Sequence, residues 1–330
     1  MKAIRYHRYG SPDVLALEEV DLPVAGDNDV LVRVRAASVN PLDFHFMRGT
    51  PYLVRSQAGL SRPKATGLGA DMAGRVEAVG RNVTRLQPGD EVFGARDLNE
   101  RRRGGTFAEY VSIHQDRAVL AKPANLTFEQ AASVPIAAFT ALQALRDKGR
   151  IQPGHKVLVN GAAGGVGTFA VQLAKAFGAE VTGVCTSRNL EMVHSIGADT
   201  VVDYTRDDFT RTGPRYDLLV DLAANRTLSE MRRVLAPKGT LVGVGGPVDG
   251  LWIGPLIGPA KLLALSLVVR QTMAPMLAHN SRDDLVVLRD LIEAGTVVPV
   301  IDRTYPLSQV PEAIRYLEHG HARGKVVITV

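Results

Sequence analysis

The chain has 330 residues, 45% of them hydrophobic, and a formal net charge of +5, a length for about two domains and an apolar content that excludes disorder. Its glycines and prolines follow no short period, which excludes fibres, solenoids and propellers. A pI near 9.4 favours anionic ligands in general without arguing for nucleic acid. A single cysteine, Cys185, rules out an intramolecular disulfide and every zinc site that needs two thiolates.

Met1 to Gly10 lacks the apolar core of a secretory leader and reads as a short strand, so a cytoplasmic location is expected. Short β-rich segments follow at Ala16 to Val20, Asp29 to Ala36, Ala73 to Val79, Glu91 to Phe93 and Phe107 to Ser112, divided by turn pairs such as Pro88-Gly89. They predict an all-β, barrel-like unit. Arg101 to Arg103, beside Gly104 and Gly105, reads as a solvated loop. At Thr127-Phe-Glu-Gln130 the texture changes to a capping box that opens an Ala-rich helix reaching Lys148.

Strand and helix then alternate, with strands at Lys156 to Asn160, Glu180 to Val184, Thr200 to Asp203, Tyr216 to Asp221 and Thr240 to Val244. Fully apolar strands in this setting predict a parallel sheet covered on both faces. Leu251 to Val269 approaches membrane length, but Pro255, Pro259 and Lys261 interrupt it. No membrane span is expected there. With Gln271 to Met276, it is expected to line a substrate cleft or a subunit interface. A helix from Asp283 to Ala294, a strand at Val298 to Asp302, a helix from Leu307 to Glu318 and a strand at Lys325 to Val330 complete the chain, and their pattern fits either unit.

The stretch Gly161-Ala-Ala-Gly-Gly-Val-Gly167 lies between the buried strand Lys156 to Val159 and the helical spacing of Val166, Phe169, Ala170, Leu173 and Phe177. Backbone N–H groups at such a helix N-terminus bind pyrophosphate where no Cβ blocks approach. Ala163, Gly164, Gly165, Val166 and Gly167 are therefore the expected dinucleotide contacts, with Ala162 in place of the usual first glycine. An NAD site usually carries an acid at the end of the second strand, to bind the ribose hydroxyls. Here Val184-Cys-Thr-Ser-Arg188 stands instead. Thr186, Ser187 and Arg188 suit a 2′-phosphate, so NADPH is the expected cofactor, although Arg188 also fits as an exposed cap of the next helix.

Ala37-Ser-Val-Asn-Pro-Leu-Asp43, Gly69-Ala-Asp-Met-Ala-Gly-Arg-Val-Glu-Ala-Val-Gly80, Leu86-Gln-Pro-Gly-Asp-Glu-Val-Phe93 and the glycine bend occur in this order. So do Gly295-Thr-Val-Val-Pro-Val-Ile-Asp302 and Gly320-His-Ala-Arg-Gly-Lys325. Together they resemble the medium-chain dehydrogenase/reductase superfamily, in its zinc-independent, quinone oxidoreductase-like (zeta-crystallin-like) branch. The resemblance implies an α/β fold: a GroES-like β-barrel catalytic domain over 1–122, completed by 275–330, and a Rossmann doubly wound parallel-sheet cofactor domain over 123–274. It also implies an active site in a cleft between the two, and a homodimer. Zinc-dependent members resemble a pattern with a Cys near Ser38, a His-Glu pair at Ala70-Asp71 and a four-cysteine lobe, none of which is present here. No metal is expected.

The resemblance assigns Asn40 to the nicotinamide ribose or the substrate carbonyl, although an Asn before Pro41 also fits a turn. It makes Asp43 an organiser of the loop. His45 and Tyr52 become candidate donors to the substrate oxygen, and each also fits an ordinary surface role. On the cofactor side it implies Thr140 at the nicotinamide and Tyr204 near the 2′-phosphate. Asn225, Gly245 and Gly246 follow strands at the ligand-binding edge of the sheet. Arg323 and Lys325 are expected to return from the tail to a phosphate, and Lys325 equally begins the last strand.

Without a Lewis acid, reduction of an acceptor already activated by conjugation is easier than deprotonation of an ordinary alcohol. The expected activity is thus NADPH-dependent reduction of small-molecule quinones or α,β-unsaturated carbonyls. The competing expectation is a nucleotide-binding scaffold or sensor of the same fold with little turnover. An RNA-binding role, suggested by the pI alone, ranks last.

Overall fold

The computed structural model describes residues 1–96, 104–211, 213–244, 269–320 and 322–330, with 260, 262, 263, 265 and 266 between them. Arg101 to Arg103, Gly245, Gly246 and most of Leu251 to Val269 lie outside the described residues. The chain divides into two compact units, Met1–Phe139 with Asn280–Gly295 and Pro299–Val330, and Thr140–His279 with Thr296–Val298. The first division falls inside a helix rather than at the change of texture near 122. Backbone contact explains this, because Ile136 N–H donates to Asp71 of the first unit at 3.0 Å.

The first unit contains strands β1 (Lys2–Arg5), β2 (Ala16–Glu19), β3 (Asp29–Val39), β4 (Asp71–Val79), β5 (Glu91–Ala95), β6 (Tyr110–His114) and β7 (Val119–Ala121). Helices α1 (Pro41–Arg48), α2 (Leu53–Ala58) and α3 (Phe128–Ala132) accompany them, and α4 (Pro135–Gln143) continues into the second unit. One sheet runs β14-β15-β3-β4-β5-β7, with β14 (Ile301–Pro306) and β15 (Lys325–Thr329) drawn from the tail and β6 paired to β3. The tail therefore belongs to the first unit.

The eleven-residue β3 changes partners along its length. Its first half pairs with β6, and Ala36 to Val39 pair with β15. Register shifts between Val34 and Ala36 let one strand serve both sides, as bulges do at barrel corners. The core of this sheet is β-branched and apolar: Val30, Val32, Val76, Val92, Val111 and Ile113 are buried. A second cluster lies under the helix Val310–Glu318, whose buried Val310, Ala313 and Ile314 follow helical spacing. Each fully buried Val or Ile contributes roughly 1.5–3 kcal/mol.

The first helix, α1, departs from the expectation of strands and turns alone. Asp43 at its third position accepts from Asn40 N–H at 2.7 Å, half of a capping box, and Pro41 suits the first helical position.

The second unit holds β8 (Lys156–Asn160), β9 (Glu180–Cys185), β10 (Thr200–Asp203), β11 (Tyr216–Asp221), β12 (Leu235–Val244) and β13 (Thr272–Met276). They form a parallel sheet in the order β10-β9-β8-β11-β12-β13, the doubly wound arrangement. Helices α5 (Gly165–Ala176), α6 (Leu190–Ser195) and α7 (Leu228–Val234) connect the strands. The predicted helix after Thr127 is broken into α3 and α4, and its end, Ala144–Lys148, widens to a π turn. Among the described residues no helix is long and apolar enough to cross a membrane.

Candidate functional site

In the second unit, β8 ends at Asn160 and the chain turns through Gly161, whose φ of +91° is the left-handed region that favours glycine. Two other glycines of the bend differ in what surrounds them. A Cβ at Gly167 would stand 2.1 Å from the Gly161 carbonyl oxygen, so helix and strand require that glycine. A Cβ at Gly164 would meet nothing nearer than that same oxygen at 3.5 Å. The protein leaves space there. Gly164 caps α5 without a side-chain hydrogen bond, and the first-turn N–H groups of such a helix have no intrahelical partner. Ala162 replaces the usual glycine because β9 supplies the missing room: a Cβ at Gly183 would come within 3.1 Å of the Ala162 methyl.

The same edge of the sheet holds a polar cluster that sequence reading missed apart from Asn225. Asn160 Nδ2 donates to Asp221 Oδ1 at 2.8 Å and to Asn225 Oδ1 at 2.9 Å. Its own Oδ1 is buried without a hydrogen-bond partner. Burial pushes the Asp221 carboxyl up, and its Oδ1 accepts from Ala224 N–H at 3.0 Å. An open glycine at a helix N-terminus beside an orphaned buried acceptor fits a dinucleotide, whose pyrophosphate takes N–H donors and whose ribose offers hydroxyls.

At the end of β9 the structure adds a group that the sequence analysis did not single out. The second strand carries no acid, but the third brings one: Asp203 is in register with Cys185. Its buried carboxylate accepts from the Ser187 hydroxyl and, through Oδ1, from Thr205 N–H at 3.0 Å and Thr205 Oγ1 at 2.7 Å. The hydrogen bond from Ser187, then that from Thr205, holds its carboxyl below the usual range. Arg206, also unforeseen, has Nε 3.7 Å from Asp203 Oδ2. Arg188 and Tyr204 are exposed beside this group in sequence, and Thr186 accepts from Asn189 Nδ2 at 3.2 Å. Thr140 is buried, while Gly245 and Gly246 lie outside the described residues.

In the first unit, β3, β4 and β15 bring Ser38, Asn40, Asp71 and Lys325 together. Asp71 Oδ2 accepts from Ser38 Oγ at 2.7 Å and Asn40 Nδ2 at 2.8 Å. Lys325 Nζ donates to Asn40 Oδ1 at 2.6 Å and lies 3.5 Å from Asp71 Oδ2. Gly324, with φ of +104°, turns the chain into this position. The structure thus differs from a tail lysine reaching for a phosphate: the Lys325 ammonium is buried in the first unit and ion-paired to Asp71. Burial pulls the Lys325 ammonium down, and Asp71 opposes that shift. Arg323 is exposed, with its backbone N–H on Asp302.

The Asn40 amide is engaged throughout, since Nδ2 also reaches Ser38 O at 3.4 Å. Asp43 accepts from Gly69 N–H at 3.2 Å as well as from Asn40, and burial pushes its carboxyl up to about 7. His45 Nδ1 lies 3.0 Å from the Thr50 carbonyl, an acceptor only, so Nδ1 carries the proton. Neutral His45 therefore offers an acceptor at Nε2, and burial pulls its pKa down, against the imidazolium that would donate. Tyr52 is half-buried, with the Arg55 guanidinium 4.6 Å from its ring centre.

Residues 26–124 match the family described as alcohol dehydrogenase GroES-like domain, and residues 196–328 match that described as zinc-binding dehydrogenase. Mouse NAD(P)H oxidoreductase RTN4IP1, mitochondrial, is 35% identical over 98% of this chain and 87% of its own. Tomato 2-methylene-furan-3-one reductase is 35% identical over 99% of this chain and 79% of its own. The solved quinone oxidoreductase from Coxiella burnetii superimposes with a TM-score of 0.87 at 30% identity, over 100% of this chain and 99% of its own. The chain belongs to the medium-chain dehydrogenase/reductase superfamily, in its quinone oxidoreductase-like branch. As a medium-chain dehydrogenase/reductase it is an oxidoreductase with a nicotinamide cofactor.

Among the described residues no three His, Cys, Asp or Glu side chains gather where they could hold a metal ion. Asp71 is committed on both oxygens, to Ile136 N–H on one and to Ser38 and Asn40 on the other.

Proposed function

We propose that this medium-chain dehydrogenase/reductase is an NADPH-dependent reductase of quinones or α,β-unsaturated carbonyls that works without a metal. The observation that carries the reading is the contrast at the bend: the protein itself requires glycine at Gly167 but leaves Gly164 open to a ligand. A bound reduced nicotinamide supplies hydride to an electron-poor carbon. Gly165 and Val166 offer backbone donors to the pyrophosphate, Gly164, whose own N–H is held by the Gly161 carbonyl, leaves the approach open, and Asn160 Oδ1 offers an acceptor to a ribose hydroxyl. Arg188 and Arg206 hold the 2′-phosphate, as guanidiniums do in bidentate pairs. The relatives, a quinone oxidoreductase and a 2-methylene-furan-3-one reductase, support the acceptor class.

Asn40, Asp43, Asp71 and Lys325 act in this reading as a buried organiser rather than as groups that touch the acceptor. Tyr52 is assigned to the acceptor oxygen, because His45 faces Thr50 with its proton. The lack of a zinc is supported by the donor chemistry: Ser38 donates its proton to Asp71, and Asp71 is ion-paired to Lys325. The edge strand β13 has one side without a partner strand among the described residues, and a second copy is assigned there to make a homodimer.

Steady-state NADPH oxidation with a panel of quinones, enones and simple alcohols tests the proposal. Turnover of conjugated acceptors, reduced at least tenfold in Tyr52→Phe, is expected from a lost hydrogen bond of about 1.4 kcal/mol. Tight NADPH binding without turnover of any acceptor would support a nucleotide sensor instead.

A further inference from the structure

Asp203 ends the third strand beside Cys185 at the end of the second, and its hydrogen bonds have a direction. An ionised carboxylate only accepts, so the Ser187 hydroxyl and the Thr205 hydroxyl each commit their single proton to it. The two hydroxyl oxygens lie 3.4 Å apart, with lone pairs left for whatever binds beside them. A phosphate offers acceptors at neutral pH, whereas a ribose 2′-hydroxyl has a proton to give. Ser187 and Thr205, as Asp203 holds them, suit the ribose hydroxyl; Arg188 and Arg206 suit the phosphate. The corner therefore carries groups for both forms of the cofactor.

We infer that Asp203 is a positioning residue that sets cofactor specificity: by holding the protons of Ser187 and Thr205, it keeps the site open to NADH and limits its preference for NADPH. This inference rests on the reading that the adenosine 2′ position binds at this corner. Asp203→Asn keeps the shape and removes the charge. The new amide donates toward Ser187 Oγ and releases the serine proton for a phosphate oxygen. One charge-assisted hydrogen bond gained and one repulsion removed raise NADPH affinity about tenfold, while NADH affinity stays within about threefold.

The test is the pair of dissociation constants, for NADPH and NADH, measured by cofactor fluorescence on four proteins: the parent chain, Asp203→Asn, Ser187→Ala and the double variant. The NADPH to NADH preference is expected to rise about tenfold in Asp203→Asn. Ser187→Ala is expected to change NADPH affinity less than about twofold alone and severalfold in the Asp203→Asn background, because only there is the serine proton available. An unchanged or lower preference in Asp203→Asn overturns the inference, as does an equal effect of Ser187→Ala in both backgrounds. Arg188→Ala combined with Arg206→Ala separates the two levels. If that variant leaves NADPH affinity unchanged, the underlying 2′-phosphate reading fails; if it weakens NADPH while Asp203→Asn moves nothing, the inference about Asp203 fails alone.

Discussion

The ammonium of Lys325 lies 2.6 Å from the amide oxygen of Asn40, a residue 285 positions earlier in the chain. Both are buried, and Asp71 lies beside them with neither of its oxygens exposed. One cation thus lies against the buried carboxylate of Asp71, and the tail strand is joined to β4 by charge as well as to β3 by its ladder.

Removing that cation leaves a buried carboxylate uncompensated, a change that costs roughly 3–5 kcal/mol in comparable pairs. Lys325→Met, which preserves much of the volume, is expected to lower the denaturant midpoint by that equivalent. Equilibrium urea unfolding of the parent and the variant checks it, and a loss below about 1 kcal/mol would contradict a buried network of this kind.

The raised carboxyl of Asp43 gives a pH dependence of definite sign. Burial pushes it up to about 7, so between the ordinary carboxylate range and pH 7 the folded chain holds a proton that the unfolded chain has released. Stability from this group is fully present at low pH and falls as pH rises through that window. Asp43→Asn removes the effect, so the difference in unfolding free energy between parent and variant should slope by up to about 1.4 kcal/mol per pH unit between pH 4 and 7, and level above it. A difference independent of pH would show that Asp43 is ionised throughout.

The two glycines of the bend should respond in opposite ways. Gly167→Ala forces a methyl against the Gly161 carbonyl and is expected to lower the melting temperature by several degrees, as overpacking of about 1–3 kcal/mol does. Gly164→Ala has room in the protein and should melt within about two degrees of the parent, yet lose tenfold or more in NADPH affinity. Thermal unfolding and cofactor titration on the same samples decide it. Equal NADPH affinity in Gly164→Ala would remove the pyrophosphate from this position.

Much of the second unit was legible in the sequence, because its strands are apolar and its helices periodic. Lys156–Asn160, Thr200–Asp203 and Tyr216–Asp221 have the expected bounds. The helix Pro41–Arg48 was not, since eight residues with two Phe and one His carry little period; its start signal, Asn40-Pro41 with Asp43 at the third position, was present, but Asn40 was read as a site residue or a turn and Asp43 as an organiser of a loop. The edge strand Thr272–Met276 was obscured by Pro275, which a strand tolerates at a sheet edge. Lys325 begins the last strand, one of its two expected roles, but the site of its ammonium and the role of Asp203 were missed for a common reason. Their partners are neighbours across a sheet, Cys185 beside Asp203 and Val39 beside Val326, and register of that kind is written in no local pattern.

The most direct measurement of the central claim uses NADPH with deuterium at both C4 positions of the nicotinamide and an enone acceptor, with protein treated beforehand with a chelator. Direct transfer without a metal predicts one deuterium on the β-carbon of the product, at the rate that untreated protein shows with the same labelled cofactor. Product without deuterium, or turnover abolished by the chelator and restored by zinc, would contradict it.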